Sequence, residues 1–459
     1  MRRRDFLATA AATPHALGRQ EQGAESLAAA YRERAARILA AAQEGTTAYA
    51  RLAYLCDRIG HRLSGSPQLD AAIRWVEAEM RRDGFDAVRA EKVMVPRWVR
   101  GGESAELLEP AARPLVMLGL GGSVGTLRGG VTGDVVVVRT FEELEALPAD
   151  AVRGKIVCFD APFTTYGQTV RFRSQGPSAA ARKGATAALV RSVGPVSLRT
   201  PHTGSLRYAD DAPKIPAAAV TIEDAEMLAR MQARGERVWV RLSMEAKTLP
   251  DAESANVVAD LRGSEKPEEI VLVSGHLDSW DVGQGAHDDG GGCLAAWEAA
   301  RLLKSLDLRP RRTVRVVLYT NEENGLGGGT GYRDAHAGEI DRHVLAVESD
   351  SGVFDPKGFG VSGGGDRALA LTKEVGTLLA PIGADAISAG GGGADIGPLM
   401  ERGVVGMGLQ VEGSRYFHLH HTPADTLDKV DPASLNKCVA AMAVMAYVVA
   451  DMPGRLDGK

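Results

Sequence analysis

The sequence predicts an α/β fold: a mixed, mostly parallel central sheet flanked by helices, with a second, accessory α/β segment inserted into it. Three observations carry this reading. From Asn256 onward, EEIVLVSG and TVRVVLYT are continuous apolar runs of the buried parallel type, separated by a helical run over 292–304 with Leu294, Trp297 and Leu302 on one face. Strand, helix, strand at that spacing makes a βαβ unit. Between about 110 and 247 the texture changes to short β-branched runs bounded by glycine. Finally, at 459 residues and 48.4 kDa the chain is long for one domain.

Taken in order, residues 1–22 open with MRRRDFLATAAATPHAL, where Arg3-Arg4 precede Phe6-Leu7 and an Ala-rich run. This resembles a twin-arginine export signal and predicts an exported, periplasmic or secreted protein. Residues 23–110 form the amino-terminal part of the main unit, which resumes at 248. Here an Ala- and Arg-rich helix spans about 26–42, and a second helix starts at the Ser66-Pro67 cap and stops at Gly84. Within 111–247, GDVVVVR and GKIVCFD are strands, ATAALVRSV follows an Ala-rich helical pattern, and RVWVRL closes the insertion. In 248–459, HVLAVESD and GVVGMGLQV add strands, and LNKCVAAMAVMAYVVADM makes a long apolar helix.

Composition narrows the function classes. Lys and Arg number 54 against 59 Asp and Glu, a net charge of −5, and aromatics are 5%. No basic stripe interleaved with aromatics suggests nucleic acid, and no run reaches the roughly 18 consecutive apolar residues of a membrane span. Cys56, Cys158, Cys293 and Cys438 lack the close spacing of a thiolate metal site and fit buried thiols or at most a disulfide.

The chemistry sits in SGHLDSWD, GAHDDGGG, TNEEN, VESD and HHTPADT. His276, Glu322, Glu323 and Asp350 follow apolar strands, the place where open α/β sheets bind ligands. Singly, an Asp after a strand reads as a cap, paired Glu as a solvated face and a His as structural. Together they form a donor set for zinc, which takes imidazole and carboxylate. Two ions about 3.5–4 Å apart need a bridging carboxylate. Asp288, in a glycine-flanked turn, is the natural bridge; His276 with Asp350 completes one ion, Glu323 with His421 the other. Asp278, two residues past His276, shares its face and is expected to accept the second ring hydrogen of His276. Glu322 is left free to move protons. No HExxH is present and no serine-nucleophile elbow is read.

These residues resemble the zinc exopeptidase family of clan MH, which includes bacterial secreted aminopeptidases and glutamate carboxypeptidases, and within it the carboxypeptidase Q branch. The likeness runs through RLSGSP, the insertion, which it implies is a protease-associated-like α/β domain, GHLDSWDVGQGAHDDGGG, TNEENGLGG, VESDSG, SAGGGGADIGPL and HHTPADT. It implies ligands at His276, Asp288, Glu323, Asp350 and His421, a catalytic Asp at Asp278, a general base at Glu322, two Zn2+ per chain, a cis Asp288–Asp289 peptide and a homodimer. In that family the last His ligand precedes Ser or Thr, which selects His421 over His420. Where some relatives have Tyr, His420 either stabilises the oxyanion or packs. His61, His202, His287, His336, His343 and His418 are read as structural or surface residues, and Gly390 to Gly393 with Asp395 as pocket lining or a plain turn.

The expected activity is hydrolysis of dipeptides or short peptides by attack of a metal-bridged hydroxide, with the end that is recognised left open. Two alternatives are a single-zinc glutaminyl cyclase-like acyltransferase and a non-catalytic receptor-like module.

Overall fold

The computed structural model describes residues 26–196 and 198–458. The export signal expected in residues 1–22 lies outside them.

Two eight-stranded sheets organise the described residues. The first runs, in spatial order, Ala87–Val99, Lys247–Leu261, Arg312–Tyr319, Lys266–His276, His343–Glu348, Gly406–Val411, Pro356–Ser362 and Ala386–Ala389. Its four central strands, from Arg312–Tyr319 to Gly406–Val411, are mutually parallel. Arg312–Tyr319 and His343–Glu348 are buried along their whole length, and Lys266–His276 is buried from Ile270 on, as expected of strands covered on both faces. Register places His276 beside Tyr319 and Ser274 beside Glu348, so three strands end together on one rim.

Helix Gly291–Ser305 packs on this sheet, and Pro432–Asp451 packs on that helix. The latter is long and apolar enough to cross a membrane by length and composition, yet 83% of its most apolar window is buried inside the fold. Trp297 is fully buried; its indole N–H donates to Asp83 Oδ2 at 2.9 Å and the Arg51 guanidinium lies 4.3 Å from its ring. The Ser66-Pro67 signal does what the sequence predicts: Ser66 Oγ accepts the Leu69 N–H at 3.1 Å and helix Pro67–Arg82 follows.

The long edge strand Ala87–Val99 was not anticipated, because charged residues and Pro96 interrupt its alternation. Pro96 sits at a register break between Val95 and Arg97 on the outermost strand, where no partner needs its missing N–H.

The second sheet lies between two strands that pair with each other in the first, Ala87–Val99 and Lys247–Leu261. Its order is Arg113–Leu115, Glu103–Glu109, Trp239–Met244, Val131–Val138, Ile156–Phe159, Ala187–Arg191, Ala217–Val220 and Met117–Gly119. It starts at Glu103, ahead of the residue 111 boundary read from sequence, since the Glu-rich ESAELLE pairs with Trp239–Met244. All four cysteines are buried and free.

Candidate metal centre

His276 ends its strand with Nε2 3.2 Å from Asp288 Oδ1 and 3.3 Å from Asp350 Oδ1. On the other side, His421 Nε2 is 3.4 Å from Asp288 Oδ2 and 3.0 Å from Glu323 Oε2. Each group converges tightly enough to hold one cation. The two oxygens of Asp288 thus face two different His and carboxylate sets. Asp288 Oδ2 and Glu323 Oε2 are buried and receive no hydrogen bond among the described residues, the condition of donor atoms aimed at a cation rather than at a protein donor. His420 Nε2 is farther from Asp288 Oδ2, at 3.7 Å.

Electrostatics follow from this crowding. Burial pushes the Glu322 carboxyl up to about 8, with Asp350, Asp278 and Asp288 adding to it against the opposing His276. Burial likewise raises Glu323 well above its ordinary value, with Asp288 contributing, and raises Asp350. Divalent cations would invert these trends by supplying the missing positive charge.

Asp278 differs from the expectation. His276 Nδ1 lies 3.0 Å from the backbone carbonyl of Asp278, whereas the Asp278 carboxylate is 3.9 Å away. A carbonyl only accepts, so Nδ1 carries a hydrogen, and Nε2 is the nitrogen turned toward Asp288 and Asp350. The carboxylate instead accepts the backbone N–H groups of Glu322 at 3.1 Å and Glu323 at 3.3 Å, and the Ser64 hydroxyl at 3.2 Å. It orders the Glu322-Glu323 turn, not the His276 ring. The loop geometry past a strand end is what strand periodicity could not foresee.

Further residues hold the site without having been singled out. Buried Arg62, from RLSGSP, donates to the carbonyls of Leu277, Gln284 and Gly285 at 2.8, 2.7 and 3.0 Å, and so ties down the loop between His276 and Asp288. Asp425, inside HHTPADT, accepts the N–H groups of His287 and Asp288. Asp289 accepts from His276 N and Gly292 N, both at 3.1 Å, and the Asp288–Asp289 peptide is cis, as the resemblance implied. Gly275 must lack a side chain, because a Cβ there would stand 2.5 Å from Asp289 Oδ2. Asp395 is fully buried rather than pocket-lining, behind Glu348, which accepts the Ile396 N–H at 2.9 Å.

The second lobe reaches into the site. Thr203 N donates to the His421 carbonyl at 3.0 Å and Ser205 Oγ to the Glu323 carbonyl at 2.9 Å. Tyr166 and Arg173, on helix Tyr166–Ser174, line a cavity of about 770 Å3 with Asp288, Glu322, Asp350 and His421. His202, read from sequence as structural or surface, is buried 3.0 Å from His420. The segment GGSVG at 121–125 matches the spacing of a serine elbow, but Ser123 is buried in the second lobe with its hydroxyl between Val124 O and Ala217 N, away from any strand-to-helix turn.

The model of peptidase family M28 matches residues 256–446. Carboxypeptidase Q of Mus musculus is 48% identical over 404 residues, 88% of this chain and 86% of its own length. The chain belongs to peptidase family M28. The crystal structure of a peptidase M28 precursor from Shewanella amazonensis SB2B superposes with a TM-score of 0.89 at 37% identity, covering 93% of this chain and 98% of that one. A zinc aminopeptidase from Bacillus subtilis shares the M28 fold with a TM-score of 0.68 at 22% identity, over 90% of this chain and 96% of that chain.

Proposed function

We propose that this chain is a zinc-dependent exopeptidase acting on short peptides, dipeptides above all, with two ions bridged by Asp288. One observation carries the reading: Asp288 divides its two carboxylate oxygens between the His276 and Asp350 set and the Glu323 and His421 set. Both sets fit zinc chemically, being imidazole plus carboxylate. In this reading His276 and Asp350 hold one ion, and Glu323 and His421 the other. When bound, such ions polarise a carbonyl and lower the pKa of water toward 7.

The chain's own groups do the remaining work. Glu322 is not part of either donor set, and it lines the cavity beside Asp288 and Asp350. It takes a proton from the attacking water and returns it to the leaving amine. Asp278 fixes the turn that separates Glu322 from Glu323, so that one carboxylate ligates while its neighbour stays free. Arg62 and Asp425 hold the backbone on either side of Asp288, which keeps the donors in place before a substrate arrives. Tyr166 and Arg173 wall the cavity from the second lobe, which suits short substrates.

A single-zinc acyltransferase reading gains no support, since both donor sets are assembled. The test is a panel of dipeptides, free and blocked at either end, offered to the zinc-loaded protein. Cleavage of free dipeptides, lost on blocking one end, is the expected result and names the end that is read. Failure to cleave any free dipeptide would overturn the proposal.

A further inference from the structure

We propose that His202, carried by the second lobe, is a positioning residue for catalysis: it fixes His420 in the tautomer that presents its Nε2–H to the carbonyl oxygen of the substrate. The inference rests on the reading of the site as a peptidase.

His202 and His420 are both buried, and His202 Nε2 lies 3.0 Å from His420 Nδ1. Of those two nitrogens, one donates and the other accepts. Suppose His420 Nδ1 were the donor. His202 Nε2 would then be bare, and its hydrogen would sit on Nδ1, a buried atom with no hydrogen-bond partner among the described residues. The carbonyls of His202 itself and of Thr203 are near, but neither stands in hydrogen-bonding geometry to it. Folded proteins avoid an orphaned buried N–H more strictly than an orphaned acceptor.

The opposite assignment leaves only a bare nitrogen there. His202 Nε2–H donates, His420 Nδ1 accepts, and the hydrogen of His420 lies on Nε2. That nitrogen is 3.7 Å from Asp288 Oδ2, on a ring stacked at 3.6 Å against His421. It therefore faces the cavity beside the carboxylate that divides the two donor sets, where a carbonyl oxygen gains negative charge during attack. Presenting a hydrogen rather than a lone pair, His420 donates to substrate and leaves ligation to His421.

Neighbouring contacts hold the pair still. The His202 backbone N–H donates to Ser192 Oγ at 3.0 Å, and Tyr166 meets the His420 ring edge-on at 5.0 Å. The second lobe thus completes the active site as well as narrowing it.

The test uses the zinc-loaded full chain with a dipeptide substrate. His202→Leu is expected to lower kcat about tenfold or more, with KM and zinc per chain unchanged. His202→Gln, whose amide N–H takes the place of Nε2–H, is expected to recover most of the loss. Wild-type kcat in His202→Leu, equal impairment of the Leu and Gln variants, or a loss that follows zinc content would overturn the proposal. Should His202→Leu not fold, the 15N spectrum of histidine-labelled wild-type protein decides: Nε2–H on His420 supports the assignment and Nδ1–H contradicts it. A wild-type protein inactive on every dipeptide would instead sink the peptidase reading and leave the tautomer measurement standing.

Discussion

Asp425 Oδ2 accepts the backbone N–H of Asp288 at 3.0 Å, while its Oδ1 takes that of His287 at 2.8 Å. The acid that faces both donor sets is therefore held at its backbone by the segment that also carries His420 and His421. Burial pushes the Asp425 carboxyl up to about 7, against these two bonds. Burying it is costly, and its return is the placement of Asp288.

Asp425→Asn sets an amide NH2 against one of these N–H groups. Zinc affinity should fall about 10- to 100-fold, read by competition with a chromophoric chelator, while the far-ultraviolet circular dichroism stays that of the parent. Unchanged affinity would show that Asp288 needs no such support.

Glu322→Gln removes the proton carrier and keeps the shape. Two zinc ions per chain should remain and kcat should fall about 100- to 10,000-fold. A variant with half the parent activity would mean that another group moves the proton.

Asp278→Ala frees the N–H groups of Glu322 and Glu323 but leaves the carbonyl that His276 Nδ1 uses. The structure predicts a displaced Glu322-Glu323 turn with the His276 ring in place, and activity down about 10- to 100-fold. A crystal structure of the variant with the turn intact and the His276 ring rotated would restore the role first read from sequence.

Gly275→Ala drives a Cβ to 2.5 Å from Asp289 Oδ2 and 2.8 Å from Cys293 N. Overpacking of this kind costs about 1–3 kcal/mol. Denaturant unfolding should show that loss, with zinc binding weakened because Asp289 anchors the His276 N–H.

Much of this was legible in the chain because His276, Glu322, Glu323 and Asp350 follow apolar runs whose ends are unmistakable. EEIVLVSG ends at His276, and TVRVVLYT leads to Glu322 and Glu323, so their presence on one rim follows from parallel strands alone. The helix after Asp288 and the Ser66-Pro67 helix were readable for similar local reasons. What sequence did not show are contacts made at long separation. Asp425 touches Asp288 across 137 residues, and Arg62 reaches Gln284 across 222. His202 meets His420 across 218, between two lobes. No periodicity encodes such pairs. Asp278 was misread for a related reason: past the strand end the chain turns, and alternation no longer says which atom faces His276.

The central claim is that Asp288 joins two ion sites, and metal content measures it directly. Zinc-loaded wild-type protein, gel-filtered and assayed by mass spectrometry, should hold two zinc ions per chain, and Asp288→Ala should lose both. One zinc in the wild type, or two retained in the variant, would contradict the account.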